Sequence, residues 1–190
     1  MVDFPLTVGF IGFSGQNKAT SLHYLGITAD LDNKRTFVKK ILIIYHSQSG
    51  NTFKMAKEVA KGVDSIDNVE AILKNAAEAT LQDIIQCDGM AIGSPEYFGY
   101  MSGILKDFFD RTYEQARGRK EVFKKPYVIF ISAGNDGRGA VNAIERICLG
   151  YQLKKVYAPL ISRGEVTRDT LRLCEELGKT IAAGCEVGIY

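Results

Sequence analysis

The four cysteines of this chain, Cys87, Cys148, Cys174 and Cys185, include no C-x-x-C pair. Their scarcity and wide spacing argue against a compact zinc site and against a disulfide framework, and fit a reducing cytoplasm. Only two histidines are present, His23 and His46, and neither stands in a metal-ligand pair, so no mononuclear metal site is expected. Charge of one sign is also missing. The formal net charge is +2 with the basic residues dispersed, which leaves no positive stripe for nucleic acid. No run reaches the roughly 20 apolar residues that span a bilayer, and Asp3 and Pro5 stand where a basic leader would be. Neither secretion nor membrane insertion is expected. The P-loop pattern G-x-x-x-x-G-K-S/T is absent, and no cysteine opens a C-x-x-x-x-x-R segment, which disfavours triphosphate binding and phosphatase chemistry.

What is present suits an ordinary globular domain: 190 residues, 46% hydrophobic and 24% charged, enough for one sizeable core. After residue 38 apolar runs alternate with segments of helical period, the pattern of parallel strands joined by crossover helices. Strands are expected at Ile41–Tyr45, Val69–Leu73, Gly89–Gly93, Tyr127–Ile131 and Lys154–Ser162. Helices are expected at Thr52–Val63, Leu81–Gln86 and Ser102–Tyr113, along the stripe Val141, Ile144, Ile147, Cys148, and from Thr167 to the C-terminus. A charged, mobile link should follow the third helix. The implied fold class is α/β, a flavodoxin-like three-layer sandwich with a five-stranded parallel sheet in the order 2-1-3-4-5. Residues 39–190 form that domain, and residues 1–38 an N-terminal extension that supplies an extra strand (Thr7 to Phe13), a cover or an oligomer contact.

Ligands of such sheets sit at the carboxyl ends of strands near the switch point, so the loops after strands one, three and four should converge. The first reads Ser47-Gln48-Ser49-Gly50-Asn51-Thr52, small polar residues where a strand turns into a helix. Free N–H groups and the positive end of the helix dipole meet there, which suits a phosphate dianion without an obligatory lysine. The plainer alternative is that Ser47 or Ser49 caps the helix, but one cap does not account for five polar residues in six. The second loop, Ser94-Pro95-Glu96-Tyr97-Phe98-Gly99, can present backbone N–H groups to the polar edge of a ring while Tyr97 and Phe98 cover its face; packing in the core is the alternative for these aromatics. The third, Ser132-Ala133-Gly134 with Gly137, is small and glycine-rich, which fits either a close ligand approach or a plain turn. His46 is read as a hydrogen-bonded structural residue, and Cys87 and Cys148 as core.

The first loop resembles the phosphate loop of flavodoxins and their FMN-dependent reductase relatives, in which two hydroxyl residues flank one position ahead of Gly-Asn-Thr. The segment Gly93-Ser94-Pro95 to Met101-Ser102 is similar to that of the WrbA-like branch of the same superfamily, whose members are NAD(P)H-dependent quinone reductases. The resemblance spans residues 40–187 and implies FMN as cofactor, with Ser47, Ser49, Asn51 and Thr52 giving side-chain contacts and Gln48, Gly50 and Asn51 backbone amides. It further implies NAD(P)H as donor, a quinone-like or other small-molecule acceptor, and a homo-oligomer, dimer or tetramer. Asn135, Asp136 and Arg138 depart from the longer glycine-rich third loop usual there, which bears on nicotinamide and quinone specificity. The alternatives are a flavodoxin-type electron carrier and a flavin-binding regulatory module. Such carriers are generally strongly acidic, whereas this chain is slightly basic.

Overall fold

A computed structural model describes residues 38–190; the expectations for the extension, including the strand from Thr7 to Phe13, fall outside it. Seven strands are present among these residues: β1 (Lys39–Tyr45), β2 (Val69–Asn75), β3 (Gly89–Tyr97), β4 (Tyr100–Met101), β5 (Pro126–Ala133), β6 (Lys154–Lys155) and β7 (Leu160–Arg163). Five helices connect them: α1 (Asn51–Asp64), α2 (Leu81–Gln86), α3 (Gly103–Ala116), α4 (Arg138–Gly150) and α5 (Arg168–Glu186). The sheet runs β2-β1-β3-β5-β6, with β7 also on β5 and the short β4 antiparallel to β3. Counting β6 and β7 as one interrupted edge strand, this is the expected order 2-1-3-4-5.

Both faces of the sheet are covered, which is why its central strands are apolar without alternation. Ile41, Leu42, Ile43 and Ile44 are all fully buried, the odd-numbered pair under α1 and α5, the even-numbered pair facing α2, α3 and α4. Met55, Ala56, Val59 and Val63 form the buried stripe of α1 at helical spacing. Helices α1 and α5 cross at closest approach through two glycines. A Cβ on Gly62 would lie 2.0 Å from the Glu175 carbonyl oxygen, and one on Gly178 would lie 2.1 Å from that of Val59. Lys61 on α1 and Lys179 on α5 both bind the Glu175 carboxylate beside this crossing, and hold its pKa down to about 2.

Three expectations need correction. The single strand Lys154–Ser162 is two short strands, because Lys155 pairs with Tyr127 and Leu160 with Phe130, leaving two extra residues on the edge. Pro159, which has no N–H for the ladder, and the half-exposed Tyr157 occupy that bulge. The third strand continues through Ser94 to Tyr97, and β4 folds back on it. The charged link after α3 is anchored: Val122 is buried in the core, and the Lys125 ammonium, also buried, donates to the Cys87 carbonyl. No helix of the described residues is long and apolar enough to cross a membrane.

Candidate functional site

Strand β1 ends at Tyr45, and six residues later the chain is helical. The turn is made by Gly50, whose φ of 88° lies in the left-handed region and whose missing Cβ opens onto empty space. Gly50 is therefore the N-cap of α1, and it has no side chain with which to cap. Neither Ser47 nor Ser49 does the job for it, so the capping alternative is set aside. The first hydrogen bond of the helix is Lys54 N–H to the Gly50 carbonyl at 2.9 Å, which leaves the N–H groups of Asn51, Thr52 and Phe53 without a backbone acceptor. No acidic side chain lies in that first turn. Two further groups at this point lack partners among the described residues: the buried Ser47 Oγ and the buried His46 Nδ1. Buried polar atoms are almost always paired, so these orphans are open to a polar ligand group.

His46 was expected to be hydrogen-bonded, and its Nδ1 is not. Burial lowers its pKa below the usual histidine value, so the ring is neutral and tolerates an anion nearby only through an N–H. Thr52, almost wholly buried, shares a 2.8 Å hydrogen bond between its Oγ1 and Ser132 Oγ, joining the first loop to the third. One hydroxyl hydrogen of the pair is consumed and one stays free. Across from Ser132, the Oγ of Ser162 on β7 is buried and unpaired. Nothing in the sequence singled it out.

The second loop is a tight hairpin. Glu96 pairs with Met101 and Tyr97 with Tyr100, so Phe98 and Gly99 are the two turn residues. Their φ values, 51° and 73°, are both positive, as a type I′ turn requires. Phenylalanine is a poor residue for that conformation, and its ring is fully exposed, with no packing to offset the strain. Ser94 is not available as a side-chain ligand. It is fully buried, its Oγ donates to the Pro95 carbonyl at 2.7 Å and accepts from Ser102 N–H at 2.9 Å, and Ser102 caps α3. Its contribution, like that of buried Pro95, is the path of the strand.

The third loop leads into α4, whose N-cap is Gly137 at φ 72°. Here the helix end is filled. Glu96 reaches across from β3, its Oε2 accepting from Gly137 N–H at 3.1 Å and its Oε1 from Gly139 N–H at 3.1 Å and Ala140 N–H at 3.4 Å. Asp136 Oδ1 takes Arg138 N–H at 3.0 Å. Glu96 was expected among the cofactor contacts; its carboxylate is instead engaged with the protein. Gly134 is exposed, and a Cβ there would meet nothing.

The three loops lie side by side because β1, β3 and β5 are adjacent and in register, Tyr45 beside Gly93 and Pro95 beside Ser132. A sequence model of the family described as NADPH-dependent FMN reductase matches residues 64–171. The chain belongs to that family. The match includes the second and third loops; the Ser47–Thr52 loop precedes it. Among proteins of similar sequence is a flavodoxin of Aquifex aeolicus, 41% identical over 100 residues, 53% of each chain. Another is a quinone-oxidoreductase of Triphysaria versicolor, 30% identical over 120 residues, 53% of this chain and 58% of that one. The chain spans about half the length of the curated relatives it matches. A solved flavodoxin, WrbA-like protein from Agrobacterium tumefaciens, superposes with a TM-score of 0.65 at 19% identity, covering 78% of this chain and 98% of that one; this supports the fold.

FMN is the cofactor of this reductase family, and NADPH the donor its description names. The residues present fit the group. The open α1 amino end, the unpaired Ser47 Oγ and the bare Gly50 are the donor set a phosphate monoester requires. All four cysteines are free and buried; burial pushes the Cys87 thiol up to about 11, those of Cys174 and Cys185 to about 12 and that of Cys148 further up, so none is a thiolate near neutrality. Among the described residues no cluster of His, Cys, Asp or Glu is arranged to hold a metal.

Proposed function

We propose that the chain is an FMN-binding oxidoreductase that passes electrons from NAD(P)H through the flavin to a quinone-like or other small acceptor. The observation that carries this reading is the open donor set at α1, with Ser47 Oγ buried and unpaired, at the same sheet end as the exposed Phe98–Gly99 turn. When bound, FMN supplies the electron-transfer chemistry. The chain's own residues do the rest. Ser47 Oγ and the N–H groups of Gln48 to Phe53, Ser49 and Asn51 among them, hold the phosphate. The backbone of Tyr97 to Gly99 borders the ring, and the turn of Ser132, Ala133, Gly134 and Gly137 closes the opposite edge. No side chain is assigned as acid or base. A cytoplasmic homo-oligomer belongs to the same reading.

The 41% identity to a protein named flavodoxin supports a second reading, an electron carrier that turns over no small substrate. One experiment tests both: the full chain is mixed with FMN, its visible spectrum recorded, and NADH and NADPH oxidation followed with a quinone, while sedimentation reads the assembly. FMN uptake with nicotinamide oxidation is expected. Uptake with no nicotinamide oxidation, but with electrons accepted from a protein donor, transfers the assignment to the carrier. A chain that never takes up FMN sinks both readings.

A further inference from the structure

Two of the three loops are connected by a side chain whose sequence position gives no hint of it. Glu96 leaves β3 one residue before Tyr97 and two before the strained turn at Phe98. Its carboxylate spans to the first turn of α4, accepting three N–H groups through both oxygens. Such charge-assisted bonds at a helix amino end are among the stronger ones available to a protein surface, because carboxylate charge and helix dipole reinforce one another. A second contact runs alongside. The turn lies so close to α4 that a Cβ on Gly139 would fall 1.8 Å from the Gly99 carbonyl oxygen. The hairpin is thus held to α4 at its base by Glu96 and at its tip by backbone contact.

We infer that Glu96 is a positioning residue, a latch that makes the Tyr97–Tyr100 turn and the start of α4 one rigid body and so fixes the amides bordering the flavin ring. The inference rests on the proposed FMN site for its functional half, and on the hydrogen bonds alone for its structural half. The turn needs such a latch. Phe98 holds a positive φ with an exposed ring, and that conformation persists only where the surroundings over-determine it.

The test compares the full wild-type chain with Glu96→Ala and Glu96→Gln, by amide hydrogen exchange without ligand and by titration with FMN, riboflavin and inorganic phosphate. Glu96→Ala orphans three N–H groups. Exchange should rise about tenfold or more at Gly137, Gly139 and Ala140 and, through the latch, at Phe98 to Met101 as well. FMN and riboflavin affinity should fall by a common factor, about 10- to 100-fold, while inorganic phosphate at α1 binds as before. Glu96→Gln keeps one acceptor oxygen and should recover part of each loss; it carries the comparison if the alanine variant does not fold. Faster exchange confined to α4 would reduce Glu96 to an ordinary cap and overturn the inference. Coupled loosening with unchanged flavin affinity would overturn its functional half. Failure of the wild type to bind flavin would instead refute the proposed function, and the exchange data would still decide whether the latch exists.

Discussion

Replacing Ser47 by alanine should stabilise the protein without ligand and weaken it as a flavin binder, two effects of opposite sign from one atom. Without ligand, Ser47 Oγ is buried and finds no partner among the described residues, so the fold carries its desolvation with no hydrogen bond in return. That burden is about 1–3 kcal/mol for a neutral hydroxyl, and the smaller figure applies here because the residue as a whole is only half-buried. Alanine removes the hydroxyl and leaves the backbone N–H groups of the α1 amino end unchanged. A gain of about 1 kcal/mol in unfolding free energy is therefore expected, read from the urea midpoint of the FMN-free chain. In the proposed FMN complex the same hydroxyl donates to a phosphate dianion, a charge-assisted bond worth about 1.5–3 kcal/mol, so the dissociation constant should rise about 10- to 100-fold. Riboflavin lacks the phosphate and should bind both forms alike. A Ser47→Ala chain that is less stable without ligand, or that binds FMN as tightly as wild type, would refute the assignment of this hydroxyl to the phosphate.

The remaining expectations concern the frame around that loop. Gly178→Ala places a Cβ 2.1 Å from the Val59 carbonyl oxygen, forcing α5 away from α1; the clash outweighs the roughly 1 kcal/mol of helix propensity gained, and a net loss of about 2–3 kcal/mol should appear in urea unfolding. Phe98→Asn puts a residue tolerant of positive φ into the turn and gives up no buried surface, so stability should rise by up to about 1 kcal/mol while FMN affinity falls several-fold. His46 has a pKa lowered by burial: below about pH 6.5 the unfolded chain binds a proton that the folded one refuses, so stability is lost as pH falls from there to the folded value. His46→Gln should flatten that part of the stability–pH curve, and an identical slope in both chains would show that other groups set it.

Much of the frame was legible because the signal was local. Ile41–Ile44 reads as a doubly buried strand without any knowledge of its neighbours, and Thr167 stands as the cap of α5 where the periodic stripe begins. The place of the turn into α1 was legible too, as a small polar loop where an apolar strand gives way to a helical stripe, but the left-handed N-cap at Gly50 was not. What escaped was non-local or disguised. A two-residue hairpin is normally announced by Asn-Gly or Asp-Gly, and Phe98-Gly99 conceals β4 behind an aromatic that looks like core. The interruption between β6 and β7 depends on which residues of β5 lie opposite, and Pro159 alone was too weak a cue. Ser94 looked like a ligand because its type and position fit, whereas its hydroxyl is consumed by Pro95 and Ser102. The N–H groups that donate to Glu96 are 41 to 44 residues away, beyond any local pattern.

Two of the helix amino ends at the carboxyl edge of the sheet, those of α1 and α4, bear on where the proposed phosphate is favoured, since α2, α3 and α5 are capped by the side chains of Thr80, Ser102 and Thr167. Both α1 and α4 start from a glycine in the left-handed conformation, and neither glycine can cap with a side chain. By backbone geometry alone they are equivalent anion sites. The protein makes them unequal: at α4 the Glu96 carboxylate already occupies the donor set, while at α1 no acidic residue lies in the first turn and Ser47 adds a further unpaired donor. An incoming dianion at α4 would have to displace a tethered anion of like charge; at α1 it meets only donors. On the proposed reading the phosphate therefore anchors beside β1, and a ring attached to it is directed toward β3 and β5, whose turns Glu96 holds together. Glu96→Ala should lessen that inequality without removing it, because Asp136 still holds Arg138 N–H and α4 has no counterpart of Ser47, so phosphate titration of this variant is expected to reveal a second, weaker site that protects Gly137, Gly139 and Ala140 from exchange, absent from wild type and weaker still in Glu96→Gln.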